Sequence, residues 1–314
     1  MVVVFFGTPQ FAVPTLRRLL NSPHRVAGVV TQPDRPRGRG QRVTYSPVKA
    51  LALERGLPVF QPDRLKPPEV ADTLRAWQPD LGVVAAYGRI IPEQLLAIPR
   101  LGMINVHASL LPRYRGAAPV HRAVINGDRE TGVTIMRVVK ELDAGGMFAK
   151  VTRPIGPDDT SDAVEADLAA MGAELLVTVV DQLAAGTAHE EAQDEAQVTY
   201  APRLTKEEGL IDWSERASQI HNRVRGLYPW PHAYTFLNGA RLILLRSAVR
   251  AREAHPSATP PGTILAVSSE AIQVATGDGA LAIIEVQPEG RRAMRVHDFL
   301  LGRRLAAGET FSDS

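Results

Sequence analysis

Two positions apart in the apolar run "MINVH" (103–107) stand an amide and an imidazole, Asn105 and His107. Side chains two apart on a β-strand share a face, so the pair would present together at the strand's carboxyl end. After a further apolar run, the glycine-flanked loop "ELDAGG" (141–146) sets Asp143 where it could reach the same crevice. An amide, an imidazole and a carboxylate are what acyl transfer requires when no covalent nucleophile is used. The first two stabilise a developing oxyanion, and the carboxylate orients the imidazole or relays a proton. On residue types alone, the site is an acid/base or acyl-transfer site. The other seven histidines are scattered without metal-ligand spacing, so no metal is expected.

The elements that must hold these residues are legible in outline. Apolar runs at 2–6, 26–30, 81–87, 103–107 and 132–139 alternate with helical patterns. Such alternation predicts an α/β fold with a Rossmann-like, mostly parallel sheet, whose ligand crevice lies at the carboxyl ends of the strands. The clearest helix spans 160–186, with Val164, Leu168, Met171, Leu175, Val179 and Leu183 three or four apart. Residues 188–209 then turn polar and unpatterned, as a linker would. Beyond them, a short helix near 214–225 precedes five short β-type runs, two of them joined by Asn238-Gly239, a pair favoured in two-residue hairpins. The expected organisation is therefore an α/β domain over 1–189, a linker over 190–208 and a small OB-like β-barrel over 209–314.

Composition excludes several classes. The chain has 314 residues and no Cys, which rules out disulfides, thiol nucleophiles and thiolate zinc sites and fits a reducing compartment. "MVVVFFGTPQ" lacks the basic segment and length of a signal peptide, and no run reaches membrane-spanning length, so a cytoplasmic protein with no membrane partner is expected. A dinucleotide fingerprint after the first strand fails, because Pro9 and Ala12 stand where its second and third glycines would be. The arginines after the second strand could still suit a 2′-phosphate, which leaves an NADP dehydrogenase as an alternative. Charge is uneven under a net +2: residues 1–49 carry eight Lys/Arg against Asp34 alone, whereas residues 141–200 carry two against thirteen acids. A polyanion would be steered to the N-terminal end. The basic loop "PDRPRGRGQR" (33–42) carries Arg35, Arg37, Arg39 and Arg42, with Lys49 following.

The stretch "NVHASLLPRYRGAAPVHRAVINGDRETGVTIM", with "LDAGGM" after it, resembles the catalytic core of the folate-dependent formyltransferases. "FFGTPQFAVPTL", "TQPDRPRGRGQRVTYSPVK", "TYAPRLTKEEGLIDW" and "RVRGLYPWPHAYT" extend the similarity over nearly the whole chain, towards the members that act on charged tRNA. The resemblance implies transfer of a formyl group from 10-formyltetrahydrofolate, as co-substrate, to the α-amino group of methionine on initiator tRNA. It places Asn105, His107 and Asp143 on the family's catalytic triplet. It also puts Ser109, Leu110, Leu111 and Pro112 on the folate-contacting turn, and Tyr87, Gly88, Arg89 and Ile90 at the pterin pocket. By the same resemblance the loop from Thr31 to Lys49 approaches the tRNA acceptor end, where arginine forks pair with phosphates. Further phosphate contacts are expected from Arg223, Arg225, Arg303 and Arg304 in the second domain, and a monomer is expected on so long a substrate. The competing readings are a formyltransferase for a sugar-nucleotide amine or glycinamide ribotide, and an RNA-binding protein that has lost activity. The intact triplet argues against the last.

Overall fold

In the computed structural model, residues 1–37, 42–250 and 259–312 are described. Strand β1 (Val2–Gly7) buries Val3, Val4, Phe5 and Phe6 completely. An unbroken apolar run is what a strand covered on both faces needs. Around it lie β2 (Arg25–Val30), a small two-stranded ladder of β3 (Arg35–Arg37) and β4 (Arg42–Thr44), and β5 (Val59–Phe60). Strands β6 (Leu81–Ala85), β7 (Met103–His107), β8 (Arg115–Gly116), β9 (Glu130–Arg137), β10 (Met147–Pro154) and β11 (Tyr200–Ala201) follow. The main sheet runs β10-β9-β7-β6-β1-β2-β5. From β7 to β5 all pairings are parallel, while β9 and β10 are antiparallel. The expected Rossmann-like, mostly parallel sheet is present. Strand β10, which the sequence pattern did not single out, is a half-exposed edge carrying Lys150, Arg153 and Pro154.

By contact the chain divides into two compact units. One comprises Met1–Pro119, Glu130–Pro154 and Glu165–Pro202, and the other Val120–Arg129, Ile155–Val164 and Arg203–Ser314. The polar stretch read as a linker is not free as far as Ala201. Glu191 bridges to Met147, and β11 pairs in parallel with β8. It is polar because it runs as an exposed edge, with Tyr200 64% accessible, yet its backbone is bonded into the first unit. The second unit likewise takes in segments well upstream of 209. Ser161 donates to the Gly226 carbonyl at 2.8 Å, and His221 bonds Ser247 through Nδ1 and the Pro157 carbonyl through Nε2.

The second unit is a curled antiparallel sheet of β12 (Ala233–Leu237), β13 (Ala240–Arg250), β14 (Ile264–Val267), β15 (Ile272–Ala275), β16 (Ala280–Pro288), β17 (Met294–Arg295) and β18 (Phe311–Ser312). The predicted turn at Asn238-Gly239 joins β12 to β13, with φ of 52° and 75°, the left-handed pair that a two-residue hairpin uses. Sheet order is β14-β15-β16-β13-β12-β18. Backbone bonds from Ile264 to the Glu309 carbonyl and from Phe311 to the Gly262 carbonyl join its two ends, giving the expected small barrel. Inside, Trp213 stacks on Phe311 with centroids 5.5 Å apart and donates to Thr235 Oγ1 at 3.0 Å.

Candidate active site

Strand β7 presents two different faces. Val106 is buried under the helix Ser161–Ala185, where Gly172 lets the helix approach: a Cβ there would lie 2.8 Å from Val106 Cγ1 and 3.1 Å from Val133 Cγ1. Asn105 and His107 therefore turn the other way, as alternation requires. The helix does not use quite the stripe that the sequence predicts. Val164, Leu168 and Val179 are buried, but Met171, Leu175 and Leu183 are only partly so, and Gly172, Leu176 and Val180 carry the contact instead. Small residues at the closest approach are invisible to a pattern that counts large apolar ones.

His107 is 5% exposed. Its Nε2 lies 3.0 Å from the Tyr114 carbonyl oxygen. A carbonyl can only accept, so the proton sits on Nε2 and Nδ1 is turned to Asp143, whose Oδ2 is 3.6 Å away. Asp143 Oδ2 also accepts the Gly116 N–H at 2.8 Å. The amide of Asn105, half-buried on the same face, has no hydrogen-bond partner among the described residues. The structure thus brings all three expected residues to one edge. An unpaired amide, an imidazole with fixed orientation and a carboxylate beside it can hold an oxyanion and move a proton.

The turn after β7 is held by a residue that the sequence did not mark. Thr134, fully buried on β9 opposite His107, donates to the Ser109 carbonyl at 2.7 Å and accepts the Leu111 N–H at 3.1 Å. Ser109 Oγ donates to the Arg113 carbonyl at 2.6 Å, and the Leu111-Pro112 bond is cis. Leu110 and Pro112 complete the turn, while Leu111 packs inward on Met136 and Met147. A threonine in "GVTIM" reads as an ordinary strand residue. Only the cross-strand register shows that it spans the turn.

Residues 86–90 leave the sheet next to β7, because Val84 pairs with Asn105. Tyr87 is buried edge-on to Phe6, its hydroxyl unpaired among the described residues, and burial pushes its phenol above the ordinary value. Its carbonyl accepts from Gln32 Nε2 at 2.8 Å. Gly88 has φ of 80°, and a Cβ there would meet Gln32 at 2.6 Å. Arg89 donates to the Pro62 and Asp63 carbonyls, while Ile90 is 83% exposed. Of these four, Ile90 faces solvent and Tyr87 and Arg89 shape the segment.

The expected phosphate-facing cations divide. Arg35 and Arg304 are exposed and Arg303 is half-buried, none with a side-chain hydrogen bond among the described residues. Arg39 and the side chains of Arg37 and Arg42 lie outside the described residues. Three others already have partners within the fold. Lys49 is paired with Asp34, holding that carboxyl below its ordinary value, and lies over the Tyr45 ring. Arg223 is tied to Glu215 at 2.6 Å and to the Glu208 carbonyl. Arg225 is 6% exposed and bonds the Gly156 and Asp159 carbonyls and Asn222. These cations are occupied within the fold, and charge alone could not distinguish them from free ones.

Residues 1–180 match the family model described as Formyl transferase, and residues 203–304 the one described as Formyl transferase, C-terminal domain. The chain is 51% identical over 306 residues to a methionyl-tRNA formyltransferase of Methylococcus capsulatus, spanning 98% of each. It is 46% identical over 308 residues to that of Bacillus subtilis, spanning 98% of this chain and 96% of the other. Among solved structures it is similar to HypX from Aquifex aeolicus in complex with tetrahydrofolic acid, with a TM-score of 0.62, 18% identity and 95% of this chain matched. It spans 46% of that longer chain, and at such identity the likeness shows the fold alone. Two family models in tandem, and relatives of about half identity over their full length, lead to one assignment: the chain belongs to the formyl transferase family, among the methionyl-tRNA formyltransferases.

Proposed function

We propose that this enzyme transfers the formyl group of 10-formyltetrahydrofolate to the α-amino group of methionine carried by initiator tRNA. The observation that carries the chemical part is the juxtaposition on one strand edge of the unpaired Asn105 amide, the oriented His107 ring and Asp143, 3.6 Å from that ring. The acceptor is supported by the names of relatives 46–51% identical over nearly their whole length. The folate donor is supported by the tetrahydrofolic acid bound to HypX from Aquifex aeolicus, which shares the fold.

The amine attacks the formyl carbon, forming the new C–N bond and placing negative charge on the formyl oxygen. The Asn105 N–H donates to that oxygen, an interaction worth ~10²–10³ in rate when lost. The amine nitrogen gives up a proton to Nδ1 of His107, the Asp143 carboxylate beside it stabilises the imidazolium so formed, and the leaving folate nitrogen takes a proton as its bond to the formyl carbon breaks. Both nitrogens end neutral, so the step needs no metal or oxidant. The Ser109–Pro112 turn, pinned by Thr134, borders the folate, with the 86–90 segment beside it. Arg35, with Arg37, Arg39 and Arg42 of the same loop, contacts acceptor-end phosphates, and Arg303 and Arg304 of the barrel contact the tRNA elsewhere. Two anchor points raise the effective concentration of the amine at the formyl carbon.

The test offers formyl-labelled 10-formyltetrahydrofolate with charged methionyl initiator tRNA, uncharged tRNA, free methionine or a sugar-nucleotide amine. Label on the charged initiator tRNA alone is expected. Label on the sugar-nucleotide amine instead would replace the acceptor while keeping the site.

A further inference from the structure

Asp143 is gripped at both ends by one circuit of hydrogen bonds that begins and ends on adjacent residues. Its carboxylate accepts the Gly116 N–H, while its main-chain carbonyl accepts the Gln193 side-chain amide at 2.8 Å. The same amide nitrogen reaches the Gly145 carbonyl, also at 2.8 Å. The Gln193 oxygen in turn accepts Arg115 Nε at 3.0 Å and Nη2 at 2.9 Å. Glu195 takes a further guanidinium N–H at 2.6 Å, and Arg115 is only 4% exposed. Two donors and an acceptor on one planar head are the particular property of an amide side chain; a carboxylate could meet Arg115 but not the two carbonyls.

The loop needs such a hold. Asp143 lies in the left-handed region, φ 49°, where side chains other than glycine rarely rest. His107 is fixed by a strand inside the sheet, whereas Asp143 sits on a turn between β9 and β10. The separation of the two groups is therefore set by what restrains the turn. Gln193 comes from the polar stretch that composition marks as a linker, and it joins both turn carbonyls to a buried guanidinium.

We infer that Gln193, oriented by Arg115, is a positioning residue for formyl transfer, setting where Asp143 stands relative to His107. The inference rests on the reading that Asp143 takes part in the chemistry. Gln193→Glu keeps an acceptor for Arg115 and the size of the head but removes both donors to the carbonyls. Displacement of about an ångström at a reacting constellation lowers rate by up to ~100-fold.

A double-substitution cycle with Asp143→Ala tests this, reading kcat, both KM values and the melting temperature of the full chain. The expected result is a kcat loss of about 10- to 100-fold for Gln193→Glu, both KM values within about twofold, and no further loss when it is added to Asp143→Ala. Gln193→Met, which removes donors and acceptor together, should behave in the same way if Gln193→Glu does not fold. Losses that multiply across the cycle, or that follow the melting temperature, would overturn the inference, as would an unchanged kcat. If Asp143→Ala itself leaves kcat intact, the catalytic reading and this inference fall together. If only Gln193→Glu is silent, this inference alone falls.

Discussion

Gly172 meets Val106 so closely that a Cβ on the glycine would stand 2.8 Å from the valine's Cγ1. The missing methyl lets the helix Ser161–Ala185 cover the back of β7 and leaves Asn105 and His107 on the open side. Replacing Gly172 with Ala improves intrinsic helix propensity by ~1 kcal/mol. Overpacking a filled core costs ~1–3 kcal/mol. The contact lies on two strands at once, so overpacking wins, and Gly172→Ala should lower stability by up to ~2 kcal/mol in a urea titration. A stabilised variant would show that the helix can shift freely over β7.

The half-buried Asn105 amide has no hydrogen-bond partner among the described residues. Asn105→Ala should fold with an unchanged melting temperature and lose ~10²–10³ in kcat. Steady-state kinetics at saturating folate and tRNA, with a thermal melt, separate this from a structural part, in which the melt would fall and kcat would not.

Thr134→Val keeps the shape but strips the Ser109 carbonyl and the Leu111 N–H of their partner. Each buried group left unpaired costs ~1–3 kcal/mol, and the 109–112 turn should loosen. The expected result is a raised KM for the folate donor with a smaller change in KM for tRNA. An unchanged folate KM would detach this turn from the donor site.

The sequence made the frame legible because β-runs, helical periodicity and the Asn-Gly turn are local signals. Asn105 and His107 were readable for the same reason, since two residues on one strand face need only the strand. What holds them was not readable. Thr134 and Gln193 act through cross-strand register and through a segment whose polarity reads as linker, and neither property is local. Which cations are occupied within the fold was not readable for a related reason: Arg225 and Arg35 are alike in sequence, and burial distinguishes them. Strand β10 escaped notice because an edge strand half in water carries too weak an apolar pattern.

Glu208 accepts from Arg122 and from the Thr205 N–H, and the Arg122 hydrogen bond foremost holds its carboxyl below the ordinary glutamate value. A carboxyl whose folded pKa is lowered adds stability that is full above the unfolded value and is lost as pH falls through the folded one. Glu208→Gln should therefore be less stable than the parent at neutral pH, with the difference shrinking as pH falls below the ordinary glutamate range. Melting curves from pH 7 to pH 3 check it; a pH-independent difference would contradict the pairing as its source.

Arg35 and Arg304 are exposed and have no side-chain hydrogen bond among the described residues. If each neutralises one phosphate, each Ala substitution should flatten the slope of log affinity against log salt by ~0.7–0.9. Arg225→Ala, by contrast, should lower the melting temperature. Filter binding of initiator tRNA at several salt concentrations decides, and unchanged slopes for both exposed arginines would remove them from the tRNA interface.

The most direct test of the whole account is a single-turnover experiment with excess enzyme, 10-formyltetrahydrofolate and charged methionyl initiator tRNA, comparing the parent chain with His107→Ala. The account predicts formyl-methionyl-tRNA from the parent and a rate lower by ~10²–10⁴ in the variant, with both substrates still bound. Equal rates would contradict it, because the formyl group would then be moving without the imidazole that the fold holds beside Asn105 and Asp143.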